Sequence, residues 1–302
     1  MLFILFLIFD IYKNFFLNNL DMIVILFLII FFGFIFFNYF SYDDYFKQVS
    51  DTCLGCFSIL KLFFKENSHL GMIAPVVIIY LIFISNINKF IKYICLILFS
   101  FLCYVNLSTT LVTGLLFTFF LSFFLIRGIS KNNKLFILIF ILTLSVLLVK
   151  DNKYNSKLTE YFYIKKDNRI NLSTEVFKVS HFIAKKSIID KPFGYGFNNY
   201  EEAFNKYINL YKIKNLETLE LNRKDASNNF SKIVTEFGIF SLFFFYFIIS
   251  FILRDNIDVN LKLILITPIL LQTFIRGGGY FNGGFLLFLY FAYAIWVDSK
   301  RV

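Results

Sequence analysis

Residues 237–253 read FGIFSLFFFYFIISFIL, an apolar run without a charged side chain. A run of about 17–25 such residues crosses the hydrocarbon core of a bilayer as a helix, because a helix bonds its own backbone polar groups where water is absent. The pattern recurs along the chain. Segments 22–40 and 111–126 carry no charge either, and spans are expected near 22–40, 69–85, 91–107, 111–127, 135–149, 237–253, 262–275 and 281–297. Apolar residues make up 58% of the sequence and phenylalanine alone fills 46 of 302 positions. An average soluble domain is roughly 45–50% apolar, so this composition does not suit one. Segment 2–9 is apolar but short, with Asp10 and Lys13 behind it. It lacks the basic flank and small-residue cleavage site of a signal peptide.

Basic residues in short connections set orientation, because Lys and Arg are retained on the cytoplasmic side. With these spans, Lys89 and Lys92, then Arg127, Lys131 and Lys134, then Arg254 and Lys262, and finally Lys300 and Arg301 all fall on one face. That face is expected to be cytoplasmic. Connections 41–68, 106–110, 150–236 and 276–280 then point outward. The expected fold class is all-α, a polytopic transmembrane helix bundle of about 8–9 spans with one large extracytoplasmic loop. Three regions follow: N-terminal transmembrane helices over 1–149, the loop over 150–233, and C-terminal transmembrane helices over 234–302.

The loop carries sixteen Lys and Arg against ten Asp and Glu between positions 150 and 232. An excess of cations at a membrane surface favours anionic partners, each basic group attracting phosphate by about 1 kcal/mol near the interface. Membrane lipid satisfies that requirement, and so does a phosphate-bearing substrate; nucleic acid is not an expected partner. Ser173 is placed to cap a helix running to about Ile189, with Glu175 in its first turn and Val176, Val179 and Ile183 on one face. KPFGYGF at 191–197 then breaks the helix. Beyond it Phe197, Tyr200, Phe204, Tyr207, Ile208 and Tyr211 recur at helical spacing, opposite Glu201, Glu202 and Lys206. Two amphipathic helices hinged at Gly194 and Gly196 are expected, lying on the membrane surface or on the bundle.

Few residues in this loop are chemically distinctive. Arg169, within KKDNRINLS at 165–173, stands among lysines, and its planar fork matches a diphosphate. Arg223 and Arg276 are the other outward arginines. The two glycines of KPFGYGF resemble a phosphate-cradling turn, although a structural turn between helices is the ordinary reading of G-x-G. His181 lies one helical turn from Lys185 and is a candidate general base, as are Asp225 and Glu236. Cys53 and Cys56 form a CLGC pair in an outward connection where a disulfide is chemically possible. With only two histidines, His69 and His181, no metal site is expected.

The order of these parts resembles one known family. Arg169 is followed by an amphipathic helix, then IIDKPFGYGFNNYEEAF (188–204), then DASNNFSKIVTEFGIFSLFFF (225–245) leading into a span. This is similar to the O-antigen ligase and O-antigen polymerase superfamily of bacterial envelope enzymes. In that family a large periplasmic loop carries an arginine, a D-x-P-hydrophobic-G-x-G signature and a His-Asn…E-x-G signature entering the next helix. Asp190, Pro192, Gly194 and Gly196 match the first signature; Asn228, Glu236 and Gly238 match the second. The segment NLSTTLVTG (106–114) resembles the family's Ser-rich turn, and the resemblance covers about residues 90–255. Ser227 stands at the family's histidine position, and the family usually has more spans than are counted here.

The resemblance implies a glycosyltransferase of the bacterial inner membrane. Its donor would be an undecaprenyl-diphosphate-linked glycan and its acceptor a hydroxyl on another glycan or on lipid A-core. It implies catalytic roles among Arg169, Arg223, His181 and Glu236, and substrate-binding roles among Lys191, Gly194, Gly196 and Asn228. Such a donor is already activated, so neither cofactor nor metal is implied. Ligase and polymerase share fold and donor and differ in acceptor. The rival from another class is a lipid-linked glycan flippase or other transporter, which would place ionisable residues or broken helices near mid-membrane. The spans here have almost no charge at their centres, and only Pro75 and Pro268 interrupt them.

Overall fold

The computed structural model describes residues 19–41, 47–48, 59–60, 67–88, 90–95, 97, 109–125, 172–281 and 284–299. Arg169, the CLGC pair, segment 2–9, span 135–149 and most of 91–107 lie outside the described residues.

The fold is all-helical. Helix α1 is Leu20–Ser41, α2 Asn67–Ile79, α3 Thr109–Leu125, α4 Leu172–Asp190, α5 Tyr200–Tyr207, α6 Asn229–Phe237, α7 Ser241–Ile252, α8 Val259–Leu270 and α9 Phe285–Asp298. A two-residue antiparallel pairing of Lys47–Gln48 with Ile59–Leu60 is the one departure among the described residues. Helices therefore cover most of the expected segments 22–40, 69–85, 111–127, 237–253, 262–275 and 281–297. One helix among the described residues, Asn229–Ile252 with 24 residues, is long and apolar enough to cross a membrane; other apolar helices are shorter.

Pro75 and Pro268 lie inside α2 and α8, and each helix ends in a π-turn, at Tyr80–Ile84 and Leu271–Ile275. Proline removes one helical donor and crowds the turn before it, so the π-turns, which follow the prolines, are a separate feature of these helix ends. Close packing begins at small residues. A side chain at Gly71 would collide with the backbone of Thr110 and Leu111, and one at Gly114 with the Gly71 carbonyl. These glycines let α2 and α3 approach backbone to backbone.

Helix ends meet in two sets. Arg254 Nη2 donates to the Ser299 carbonyl at 3.0 Å and Lys262 Nζ to the Ile252 carbonyl at 3.0 Å, so the end of α7, the start of α8 and the end of α9 lie together. At the other end of α8, the Phe274 carbonyl accepts from Asn228 Nδ2 at 3.3 Å and the Gly277 amide donates to the Ser227 carbonyl at 3.0 Å. The unit built from residues 172–236 thus caps the end of the bundle opposite Arg254 and Lys262.

Within that unit α4 begins at Leu172, one residue ahead of the expected cap Ser173. Val176, Val179 and Ile183 are buried as their spacing predicts. Val179 and Ile183 pack with Tyr200, Ala203, Phe204, Tyr207 and Ile208. Phe197 differs from expectation. It precedes α5, sits in the turn and stacks on Tyr280 with ring centroids 5.6 Å apart. Pro192 and two glycines with positive φ occupy the chain before it, so the helical period starts only at Tyr200. Glu175, fully buried, accepts from the Lys214 and Asn215 amides and the Thr218 hydroxyl, which fixes the returning segment to α4.

Gly194 has φ +84°, and a Cβ there would strike the Glu236 carbonyl. Gly194→Ala is therefore expected to lower stability by about 2 kcal/mol or more. Thermal unfolding of the detergent-purified protein would read this as a lower midpoint.

Candidate functional site

The turn at 191–197 lies across the junction of α6 and α7. Lys191 closes α4 through its amide to the Ser187 carbonyl, and the Gly194 amide returns to the Lys191 carbonyl, both at 2.8 Å. The chain then runs along the end of α6. Tyr195 N donates to Thr235 O at 3.0 Å, Gly196 N to Glu236 O at 2.8 Å, and Ile239 N to Pro192 O at 2.8 Å. Carbonyls at a helix C-terminus have no partner within the helix, and here the turn supplies donors for two of them. Gly238, with φ +52°, completes the fit, since a side chain there would collide with the Pro192 carbonyl. The glycine amides of KPFGYGF are thus bonded to protein carbonyls, and the turn is a packing device.

Glu236 lies at the centre, fully buried. Its Oε2 accepts from the Asn198 amide at 3.0 Å and from the Tyr280 hydroxyl at 2.8 Å, and its Oε1 accepts from the Tyr200 amide at 3.2 Å. Lys232, one helical turn earlier and also buried, stands 3.9 Å from Oε1. The Lys232 ammonium donates to Asp225 Oδ1 and to the Lys224 carbonyl, each at 3.0 Å, and lies 5.0 Å from the Tyr280 ring centre. Asp225 is partly exposed, so the chain Tyr280–Glu236–Lys232–Asp225 leads from the interior to the surface.

The remaining expected residues fall around this core. Asn228 caps α6, its Oδ1 accepting from Ser231 N at 3.0 Å. Ser227, at the histidine position of the resembling family, is buried, and its amide donates to Ser180 Oγ at 3.0 Å. His181, the next residue on α4, is held between Phe177 and Phe230, with ring centroids 4.1 and 5.9 Å away. Its Nδ1 is 2.9 Å from the Phe177 carbonyl, a contact that requires a proton on Nδ1 and leaves the lone pair on Nε2. Burial pushes its pKa below the ordinary histidine value, against the opposing effect of that hydrogen bond. Arg223 Nε pairs with Glu201 at 3.0 Å, both half-exposed, and Lys191 pairs with Glu202 at 3.2 Å while lying over the Tyr195 ring.

Lys232 and Tyr280 were not singled out from sequence. Lys232 precedes Glu236 by four positions, which places both on one helical face, and that spacing was the available signal. A second polar group surrounds the first-signature aspartate. Asp190 accepts from the Tyr207 hydroxyl at 2.8 Å, and Tyr207 and Tyr195 share a 2.7 Å hydrogen bond. The Tyr207 hydroxyl, with Lys206 nearby, holds the Asp190 carboxyl below its usual range, while burial pushes Tyr207 up to about 12. Among the described residues no cluster of His, Cys, Asp and Glu suits a metal ion.

Compared with known proteins, the chain matches no family model, no curated protein and no solved structure.

Removing one partner of a buried ion pair leaves the other charge uncompensated, typically at about 3–5 kcal/mol. Glu236→Ala removes the acceptor of three buried donors and one of the two carboxylates beside Lys232, which keeps Asp225, and is expected to cost about the lower end of that range. Glu236→Gln keeps one acceptor oxygen and should cost less. Limited proteolysis between residues 191 and 240 would rank them: Ala cut fastest, then Gln, then the parent chain.

Proposed function

We propose that this chain is a multi-pass glycosyltransferase of the bacterial inner membrane, with its large loop periplasmic. It transfers a glycan from undecaprenyl diphosphate to a hydroxyl of another glycan or of lipid A-core, as an O-antigen polymerase or ligase. The observation that carries this reading is the joining of its two signature segments. DKPFGYG and SNNFSKIVTEFG are separated by some thirty residues of chain, yet two backbone hydrogen bonds join them into one unit, and a third runs to Pro192 from Ile239, the residue that follows the second segment. That unit sits on the bundle end opposite Arg254 and Lys262, the end the charge pattern turns outward. The apolar face of α7 adds support. Leu242, Tyr246 and Ile249 are exposed at spacings of three or four residues, with Phe243 beside them and Ile239 and Leu253 continuing the row past the helix ends, forming one lipid-suited stripe.

The chemistry requires cations near a departing diphosphate and a base near the acceptor. The acceptor oxygen attacks the anomeric carbon of the donor sugar. The bond from that carbon to the diphosphate oxygen breaks, and its electron pair leaves with undecaprenyl diphosphate. Fixed positive charge at the leaving group lowers the barrier as negative charge develops there. Arg169 has this role through its bidentate fork. Arg223 can assist once it exchanges Glu201 for phosphate. His181 is the favoured base among the three candidates. Its tautomer leaves Nε2 free to accept the hydroxyl proton, and its depressed pKa keeps the ring neutral near pH 7. Glu236, with both oxygens bonded to protein donors, positions the turn and α5 rather than taking a proton.

Purified protein in liposomes with undecaprenyl-diphosphate-linked glycan is expected to release undecaprenyl diphosphate as glycosidic bonds form. Movement of the lipid-linked glycan across the bilayer without bond formation would mark a flippase and overturn the proposal. Arg169→Lys should fold normally and lose most of the transfer rate. His181→Ala should lose about 10²–10⁴-fold, the usual contribution of a general base. Activity of the parent chain should fall as pH drops through the depressed His181 pKa, below the ordinary value of about 6.5, because protonation removes the Nε2 lone pair.

A further inference from the structure

We infer that the KPFGYGF turn is a membrane wedge: Phe193 enters the boundary between headgroups and acyl chains of the outer leaflet and sets the height of the site above the bilayer. Phe193 is among the most exposed large apolar side chains described, at 72%. A residue in a tight turn whose neighbours Gly194, Tyr195 and Gly196 all bond inward is held outward by a rigid backbone rather than by a mobile loop. Its ring lies 5.9 Å from Phe240, which stacks on Phe243 at 6.3 Å, and Phe243 is 71% exposed. The exposed stripe of α7 therefore continues without interruption onto the turn. α7 belongs to the membrane-length helix Asn229–Ile252, so whatever covers Phe243 reaches Phe193.

Lipid fits this surface better than a protein partner, because the surroundings of the turn suit a bilayer interface. A phenylalanine on a face lying at the interface buries its ring at the boundary of headgroups and acyl chains, and cations beside it meet lipid phosphates. Lys185 is exposed on the last turns of α4, which lead into this turn. The nearby carboxylates are already paired, Glu202 with Lys191 and Asp190 with Tyr207 and Lys206. An inserted phenylalanine would hold the α6–α7 junction at a fixed depth, and with it Glu236 and the loop unit above.

The inference rests on reading the chain as a membrane protein, and a single-tryptophan experiment separates the two. The chain has one tryptophan, Trp296, so Trp296→Phe gives a dark background. Into it go Phe193→Trp on the turn, Tyr246→Trp on the α7 stripe, and Asn205→Trp on the exposed face of α5. Each protein is reconstituted in phosphatidylethanolamine–phosphatidylglycerol liposomes containing phosphatidylcholine brominated either high or low on its acyl chains. Phe193→Trp is expected to emit at shorter wavelength than Asn205→Trp and to lose several-fold more fluorescence to the high bromines. Tyr246→Trp should lose most to the low ones. Quenching at Tyr246→Trp with none at Phe193→Trp would overturn the wedge and leave the membrane reading standing. No quenching at either position would overturn both. A short-wavelength Phe193→Trp that bromine does not quench would show protein covering the turn, and would also overturn the wedge.

Discussion

The Glu236 carboxylate is the constraint on which this end of the molecule depends. A buried charge costs several kcal/mol unless it is paired and hydrogen-bonded. Glu236 meets that demand by accepting from two amides at the start of α5 and from the Tyr280 hydroxyl beyond α8, with Lys232 close by. Its own backbone carbonyl takes the Gly196 amide. One residue therefore ties together the turn after α4, the start of α5, the α6–α7 junction and the connection after α8. The loop unit cannot be repositioned on the bundle without stranding a buried charge.

That constraint explains the glycines. Phosphate cradles and packing turns can share a G-x-G spelling, and geometry separates them. At Gly194 and Gly238 the two backbones approach so closely that a side chain on either would collide with a carbonyl of the other. The amides of Gly194, Tyr195 and Gly196 are taken by the carbonyls of Lys191, Thr235 and Glu236. In the proposed function the anion-binding role falls to side chains instead: Arg169, Arg223 and the lysines of the loop. Lys232 is the exception, since its charge is matched within the protein by Asp225 and Glu236.

Much of this arrangement was legible in the sequence because it follows from periodicity. The buried face of α4 at Val176, Val179 and Ile183, the buried face of α5 at Tyr200, Phe204 and Tyr207, and the break at Pro192 all follow from local rules. The long-range pairings were not legible. The four-residue spacing of Lys232 and Glu236 does not reveal a buried pair, because Lys186 and Asp190 share it at the surface, and Tyr280 is one of 18 tyrosines. Phe197 continued the helical spacing of its neighbours, but its conformation is governed by the contact of Gly196 with Glu236. Glu175 read as a first-turn acid, yet its oxygens hold a segment about forty residues away. Glu236, Gly194 and Gly196 were visible as positions but not as one contact.

The most direct test of the functional account is the envelope glycan profile of a deletion strain on a silver-stained gel. The account predicts one of two changes: single-unit glycan on lipid A-core for a polymerase, or loss of attached glycan with long chains accumulating on the lipid carrier for a ligase. A ladder identical to the parent strain's would contradict it.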